Sequence, residues 1–241
     1  MAKWDATLEF MSTESTVPAA AGEDSDRRRQ FLIDLYGVMA YGELSAFERF
    51  SSDARFSPTL HDRAAVGRLA VTEFEHFEAV AAQLEQLGVD VETAMAPFQP
   101  SIDAFHDRTR PADWYESLMK AYVTDGVLGD FYLHIAGALD SETQKLVARI
   151  KENTEQISMI AARLKQVLAD DPRLSSRLAL WGRRLVGEAL TQAQRIGIER
   201  AVLSELMRGQ DPDRQARATE ELFAQLTQNH SRRMNDLGLT A

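Results

Sequence analysis

Three ionisable residues sit on apolar helical stripes in the first half of this chain, and they restrict what it can fold into. From Arg28 onward apolar residues recur at helical spacing, and no stretch alternates with period two for long enough to make a sheet. The first helix, expected over residues 28–51, carries Leu32, Tyr36, Met39, Phe47 and Phe50 on one stripe, and Glu43 falls between Met39 and Phe47 on that same stripe. The second, expected over residues 60–88, carries Leu69, Val80, Leu84 and Leu87 with Glu73 and His76 among them. Residues three apart share a helix face, so Glu73-Phe74-Glu75-His76 offers one carboxylate and one imidazole in the same direction. A carboxylate buried among apolar side chains is costly unless it is paired or binds a metal. A divalent ion gives all three groups a shared reason, because it neutralises carboxylates and takes neutral imidazole as a ligand. The plainer alternative is a buried Glu–His pair without metal. Glu75 and Glu78 fall off the stripe and read as solvated.

The rest of the chain divides into further helices. Ser57-Pro58-Thr59 breaks the first pair, and Leu87-Gly88 ends the second helix with a glycine cap. Residues 96–112, with Pro97, Pro100 and Pro111, read as the longest irregular segment, where a bundle with one crossover needs its long connection. A third helix is expected over 112–138 and a fourth over 141–169, the latter stopped by Asp170-Asp171-Pro172. Two more helices follow, over 173–208 with Leu174, Leu178, Trp181, Leu185 and Leu190, and over 212–236 with Leu222, Leu226 and Met234. The expected organisation is a leader over residues 1–27, an all-α antiparallel four-helix bundle over 28–169, and two additional C-terminal helices over 170–241 packed on it.

Composition narrows the chemistry. With 241 residues and 44% hydrophobic content the chain has material for a large core. A formal charge of −10 argues against non-specific coating of nucleic acid. There is no cysteine, so a metal must be held by imidazole and carboxylate oxygen. No run approaches the ~20 apolar residues of a membrane span, and the N-terminus lacks a signal layout. The expectation is a cytoplasmic protein without a membrane partner.

A second half-site should come from the third and fourth helices. Asp125 and Asp130 stand among Val127, Leu128, Phe131 and Tyr132, and either could supply the third-helix carboxylate. The fourth-helix stripe runs Leu146, Ile150, Asn153, Ile157, Ile160 and Leu164, so the expected Glu-x-x-His spacing is filled by the amides Asn153 and Gln156. Amides are poor iron ligands beside carboxylate and imidazole, which makes these degenerate second-site positions. Glu152 and Glu155 lie off the stripe. Glu188 could substitute for a missing ligand but reads more simply as a surface or capping group. His134 lies four residues after Asp130, whereas His61, His106 and His230 have no ligand-like partner in sequence. Arg183-Arg184 and Arg232-Arg233 are basic spots best read as solvated, and Trp181 as a packing anchor.

A helix bearing Glu followed by a helix bearing Glu-x-x-His resembles half of the ferritin-like di-iron carboxylate site. Within that superfamily the chain is similar to the tRNA 2-methylthio-isopentenyl-adenosine hydroxylase family and its actinobacterial relatives. Glu73-Phe74-Glu75-His76-Phe77 looks like that family's ligand helix, and Asp125 and Asp130 before Phe131 look like its third-helix pair of acids. Leu180-Trp181-Gly182-Arg183-Arg184-Leu185-Val186-Gly187-Glu188 extends the likeness more loosely. The resemblance implies a ferritin-like fold, iron (one ion or two) on Glu43, Glu73, His76 and Asp125 or Asp130, dioxygen as co-substrate, and hydroxylation of a modified tRNA. The amides on the fourth helix depart from the pattern. They leave a second reading, a non-catalytic ferritin-like scaffold or interaction protein with a lost or mononuclear site and a homodimer surface on its C-terminal helices. Iron storage is a third.

Overall fold

The computed structural model describes the backbone of residues 17–137, 139–151, 154–200 and 212–240. Side chains are described from residue 25 onward, except at 138, 152–156, 197–212, 214, 215 and 241. Among the described residues there is no strand, and the chain is all-α. The order is α1 (Val17–Asp53), a 3₁₀ turn (Ala54–Phe56), α2 (Leu60–Gln86), α3 (Val91–Met95), α4 (Gln99–Arg108), α5 (Trp114–Ala136), α6 (Ser141–Lys151), α7 (Thr154–Asp170), α8 (Pro172–Arg200) and α9 (Pro212–Asp236).

Local chemistry explains the boundaries. Thr59 caps α2 by accepting from the Asp62 amide at 3.0 Å, and Asp113 caps α5 by accepting from the Glu116 amide at 3.0 Å. Gly88 takes φ +69 just past α2, where the Gly88 amide donates to the Glu85 carbonyl and the Val89 amide to that of Leu84. Two expectations need correction. The first helix starts at Val17 rather than Arg28, so residues 17–27 of the expected leader are helical. The segment 96–112 is not irregular for most of its length, because α4 occupies residues 99–108 with Pro100 in its first turn, where a missing amide hydrogen costs nothing. The expected fourth helix is described over Ser141–Lys151 and Thr154–Asp170, and residues 152 and 153 lie outside the described residues.

Helix α1 is the centre of the molecule. Its residues 33–40 are all buried, so it lacks the solvated face that a single stripe implies. Gly37 makes this possible on one side, since a Cβ there would run into the Ala94 carbonyl of α3. Tyr36 reaches α6 through a 3.2 Å hydrogen bond with Thr143.

Two apolar clusters fill the interior. One joins Leu69 of α2, Val123 and Val127 of α5, Ile160 and Leu164 of α7, Leu178 and Leu185 of α8, and Met234 of α9. The other joins Leu35 and Met39 of α1, Val80 and Leu84 of α2, Phe131 and Ile135 of α5, Ile150 of α6, and Leu222 and Leu226 of α9. Each fully buried Leu or Ile contributes ~1.5–3 kcal/mol relative to exposure, so helices 8 and 9 are integral to the core. Trp181 is a packing anchor: it is buried and donates from its indole nitrogen to the Glu116 carbonyl at 3.0 Å. Between the clusters lies a polar layer, at Glu43 on α1, Glu73 and His76 on α2, Asp125 on α5 and Lys151 at the end of α6. No helix among the described residues is long and apolar enough to cross a membrane.

Candidate metal centre

The polar layer is built by antiparallel helices that face one another at one depth. Glu43 and Glu73 are buried, at 5% and 7% of full exposure, so neither points to solvent. Ligand atoms of Glu43, Glu73 and His76 all lie within 4.8 Å of one another. His76 Nδ1 stands 3.4 Å from Glu73 Oε2 and 3.7 Å from Glu43 Oε2, and this buried nitrogen makes no hydrogen bond. Two ligand atoms each ~2.1 Å from one ion in a tetrahedral arrangement stand ~3.4 Å apart. The orphaned nitrogen and two facing carboxylates therefore fit a single ion of the hard or borderline type, such as iron or zinc.

The opposite side of the layer holds a cation. Lys151 Nζ donates to Glu43 Oε1 at 3.2 Å and lies 5.6 Å from the centre of the buried Tyr132 ring. Both partners of this ion pair are under a tenth exposed. In a two-iron site a second ion would bridge from Glu43 toward α5 and α6. An ammonium group already neutralises that side, and lysine cannot ligate while protonated. Among the described residues, Glu43, Glu73 and His76 fit one metal.

The electrostatics follow from this crowding. Burial works against the Glu43 carboxylate, but the Lys151 ammonium and the His76 imidazole hold it below the usual range. Burial pushes Glu73 up to about 8; the imidazole of His76 opposes this and the Glu43 carboxylate adds to it. Burial favours neutral imidazole, yet the two carboxylates lift His76 to about 9. Lys151 is likewise raised against its own burial, by Glu43 and then Asp125 and Glu73. Without metal this crowding favours the neutral form of Glu73 and the charged forms of Glu43, His76 and Lys151.

The remaining expected site residues divide. Asp125 lines the same cavity as Glu43, Glu73 and Lys151, and burial raises its carboxyl, but it stands outside the three-residue cluster. Asp130 turns away. It accepts from both Arg233 guanidinium nitrogens at 2.6 and 2.9 Å and from the Asn229 amide at 2.7 Å, fastening α9 to α5. Asn153 and the side chain of Gln156 lie outside the described residues. Glu188 pairs with Arg108 of α4 at 3.5 Å, and His134 is exposed. Lys151 and Tyr132 escaped the sequence reading. Lys151 follows Ile150 by one residue and so falls beside the stripe, where a lysine ordinarily reads as solvated.

Beside the layer opens a cavity of about 370 Å³. It follows α1 from Val38 to Asp53 and α5 from Tyr132 back to Ser117, and α8 contributes Ala189 and Gln192. At 1.5 Å per helical residue this wall is ~22 Å long. Val38, Leu128 and Phe131 give it apolar lining on one side of the carboxylates, and Ala46, Phe50 and Ala121 on the other.

Similar proteins place the fold. A solved structure described as protein 19 with aldehyde deformylating oxidase activity, from Synechococcus, superposes with a TM-score of 0.60 at 22% identity, covering 84% of this chain and 90% of the other. At that identity the likeness speaks for the fold. No protein of curated function matches the chain. The description of a ferritin-like domain of actinomycetes matches residues 26–210, which span the layer and every helix that builds it, and the chain belongs to that ferritin-like family.

Proposed function

We propose that this protein is a metal-dependent, hydroxylase-like member of its family that works with one iron ion, held by Glu43, Glu73 and His76, and with Lys151 as a built-in cation where a second ion would sit. The observation that carries the reading is the buried His76 Nδ1, which faces two carboxylates without a hydrogen bond while Lys151 pairs with the outer oxygen of Glu43. Iron bound there would supply one-electron chemistry toward dioxygen. The chain's own contribution is to hold a fixed charge at Glu43, to shield the layer from bulk water between two apolar clusters, and to present substrate through the cavity.

A tRNA substrate, which the family resemblance implied, needs cations spread over a face to meet the phosphate backbone. Here Arg183 donates to the Thr240 carbonyl and Arg233 is spent on Asp130. The cavity favours a small, largely apolar substrate instead. A homodimer through the C-terminal helices would use their outer side, where Leu180 is 64% exposed, because the inner stripes are buried in the chain.

Anaerobic titration with ferrous iron or its spectroscopic substitute cobalt, followed by elemental analysis, tests the proposal. About one ion per chain is expected, lost in His76→Ala and retained in His134→Ala. Two ions per chain, or equal loss in both variants, would refute it.

A further inference from the structure

The end of the cavity farthest from the carboxylates is lined by cations and by polar groups without partners. Lys120 is buried at 9% exposure, and its ammonium donates to the Thr109 carbonyl at 3.0 Å and rests 5.2 Å over the Phe105 ring. Among the described residues neither Lys120 nor the neighbouring Arg49 forms an ion pair. Asp53, which accepts from the Ser117 hydroxyl, and Asp107, paired with Arg110, offset only part of the repulsion that Arg49 and Arg110 exert on Lys120. Farther along the same cavity, Gln192 of α8 is 4% exposed with neither amide atom hydrogen-bonded. His106 Nδ1 is buried at this end and Thr124 Oγ1 is buried next to Asp125; both line the cavity and lack partners. Buried polar atoms are nearly always satisfied, and a buried cation whose counter-charges are outweighed by neighbouring cations is costly, so this space calls for a bound polar group. Burial and the charge of Arg49 lower Lys120 to about 7, which an anion would reverse.

We propose that Lys120 and Arg49, beside His106, form a subsite for the anionic head of an amphipathic ligand, a carboxylate or phosphate monoester, whose apolar chain lies along the cavity toward the Glu43–Glu73 layer. The distances suit a medium-length chain. Along α1 Arg49 is ~9 Å from Glu43, and along α5 Lys120 is ~7.5 Å from Asp125. Ala46 and Ala121 line the way between, and Val38, Leu128 and Phe131 extend the apolar wall past the layer. The head would therefore be fixed at a distance from the metal end, leaving a carbon of the chain, rather than the head group, beside the carboxylates. This deepens the proposed function by naming a substrate class and rests on that function for what happens at the metal end, but the anion subsite itself needs no metal.

Calorimetric titration of the full chain with octanoate, octyl phosphate, octanol and octylammonium tests it, before and after chelator treatment. One of the two anions should bind at one per chain, roughly tenfold or more tighter than octanol, with octylammonium weakest. Which anion binds tighter identifies the head group. Lys120→Met and the exposed Arg49→Leu should each remove that preference and leave octanol binding unchanged. Because Arg49 is on the surface, the second variant keeps the test decisive if the first fails to fold. Equal binding of anions and octanol, or a preference that survives both substitutions, would overturn the inference. A chain that prefers the anion but holds no metal would retain the subsite and refute the proposed function, and metal binding without anion preference would do the reverse.

Discussion

Replacing Lys151 by methionine isolates the device that distinguishes this layer from a two-metal site. The substitution keeps most of the length of the side chain and removes its charge, leaving Glu43 buried opposite Glu73 with only the His76 imidazole, 3.7 Å away, as a cationic neighbour. At 3.2 Å and an effective dielectric of about 20, Coulomb's law gives ~5 kcal/mol for the pair. Removing one partner of a buried ion pair typically costs ~3–5 kcal/mol, because the other charge stays behind. Both side chains are under a tenth exposed, so solvent screening takes little of this away. A domain with ~5–15 kcal/mol in hand would lose about a fifth or more of its stability. Guanidinium unfolding in the presence of chelator at pH 8 should report ~3–5 kcal/mol. The deficit should shrink at pH 5, where Glu43 can take up a proton once Lys151 no longer holds its pKa down. Adding Glu43→Gln in the same chain should restore much of the loss, since it removes the stranded charge. A deficit below ~1 kcal/mol at pH 8, or one indifferent to Glu43→Gln, would show that the pair behaves as a surface contact and that the layer is not organised around it.

Three further outcomes follow from other parts of the molecule. Lys151→Glu replaces the built-in cation by a carboxylate ligand and should raise the metal content from one ion per chain to about two, read by elemental analysis. Burial, with Lys120 and Arg49, lowers His106 to about 3 in the folded chain, against 6.5 for the free group. Its contribution to stability is therefore fully present above 6.5 and is lost as pH falls from there toward about 3, and His106→Gln should flatten the acid limb of a stability–pH curve over that window. Asp130→Asn removes one side of the bidentate contact to Arg233 and should cost ~1–3 kcal/mol, seen as faster hydrogen exchange in α9 than in α5.

Much of the helical architecture was legible in the chain because it depends on local signals. Helix α2 lies where the Thr59 cap and Gly88 put it, and α9 where Pro212 and the stripe of Leu222, Leu226 and Met234 put it. The same periodicity placed Glu43, Glu73 and His76 on inward faces, and those faces meet. Where local signals ran out, the reading ran out too. Prolines suggested an irregular stretch at 96–112, but a proline in a first turn permits a helix, and α4 is one.

What sequence alone determined was therefore an all-α bundle with one carboxylate–imidazole face. Period and capping act within a few residues of one another, and the chain states them directly. What tertiary structure decided was which charges share a space. Asp125 and Asp130 are equivalent in sequence, and only the packing of α9, with Arg233 on its inner side, takes Asp130 out of the interior while Asp125 stays on the cavity wall. Lys151 and Glu43 are 108 positions apart, and no periodicity links them. Their pairing, the cations at the far end of the cavity and the bare amide of Gln192 exist because separate helices converge there, and the energy of a buried charge depends on neighbours that the chain brings together only by folding.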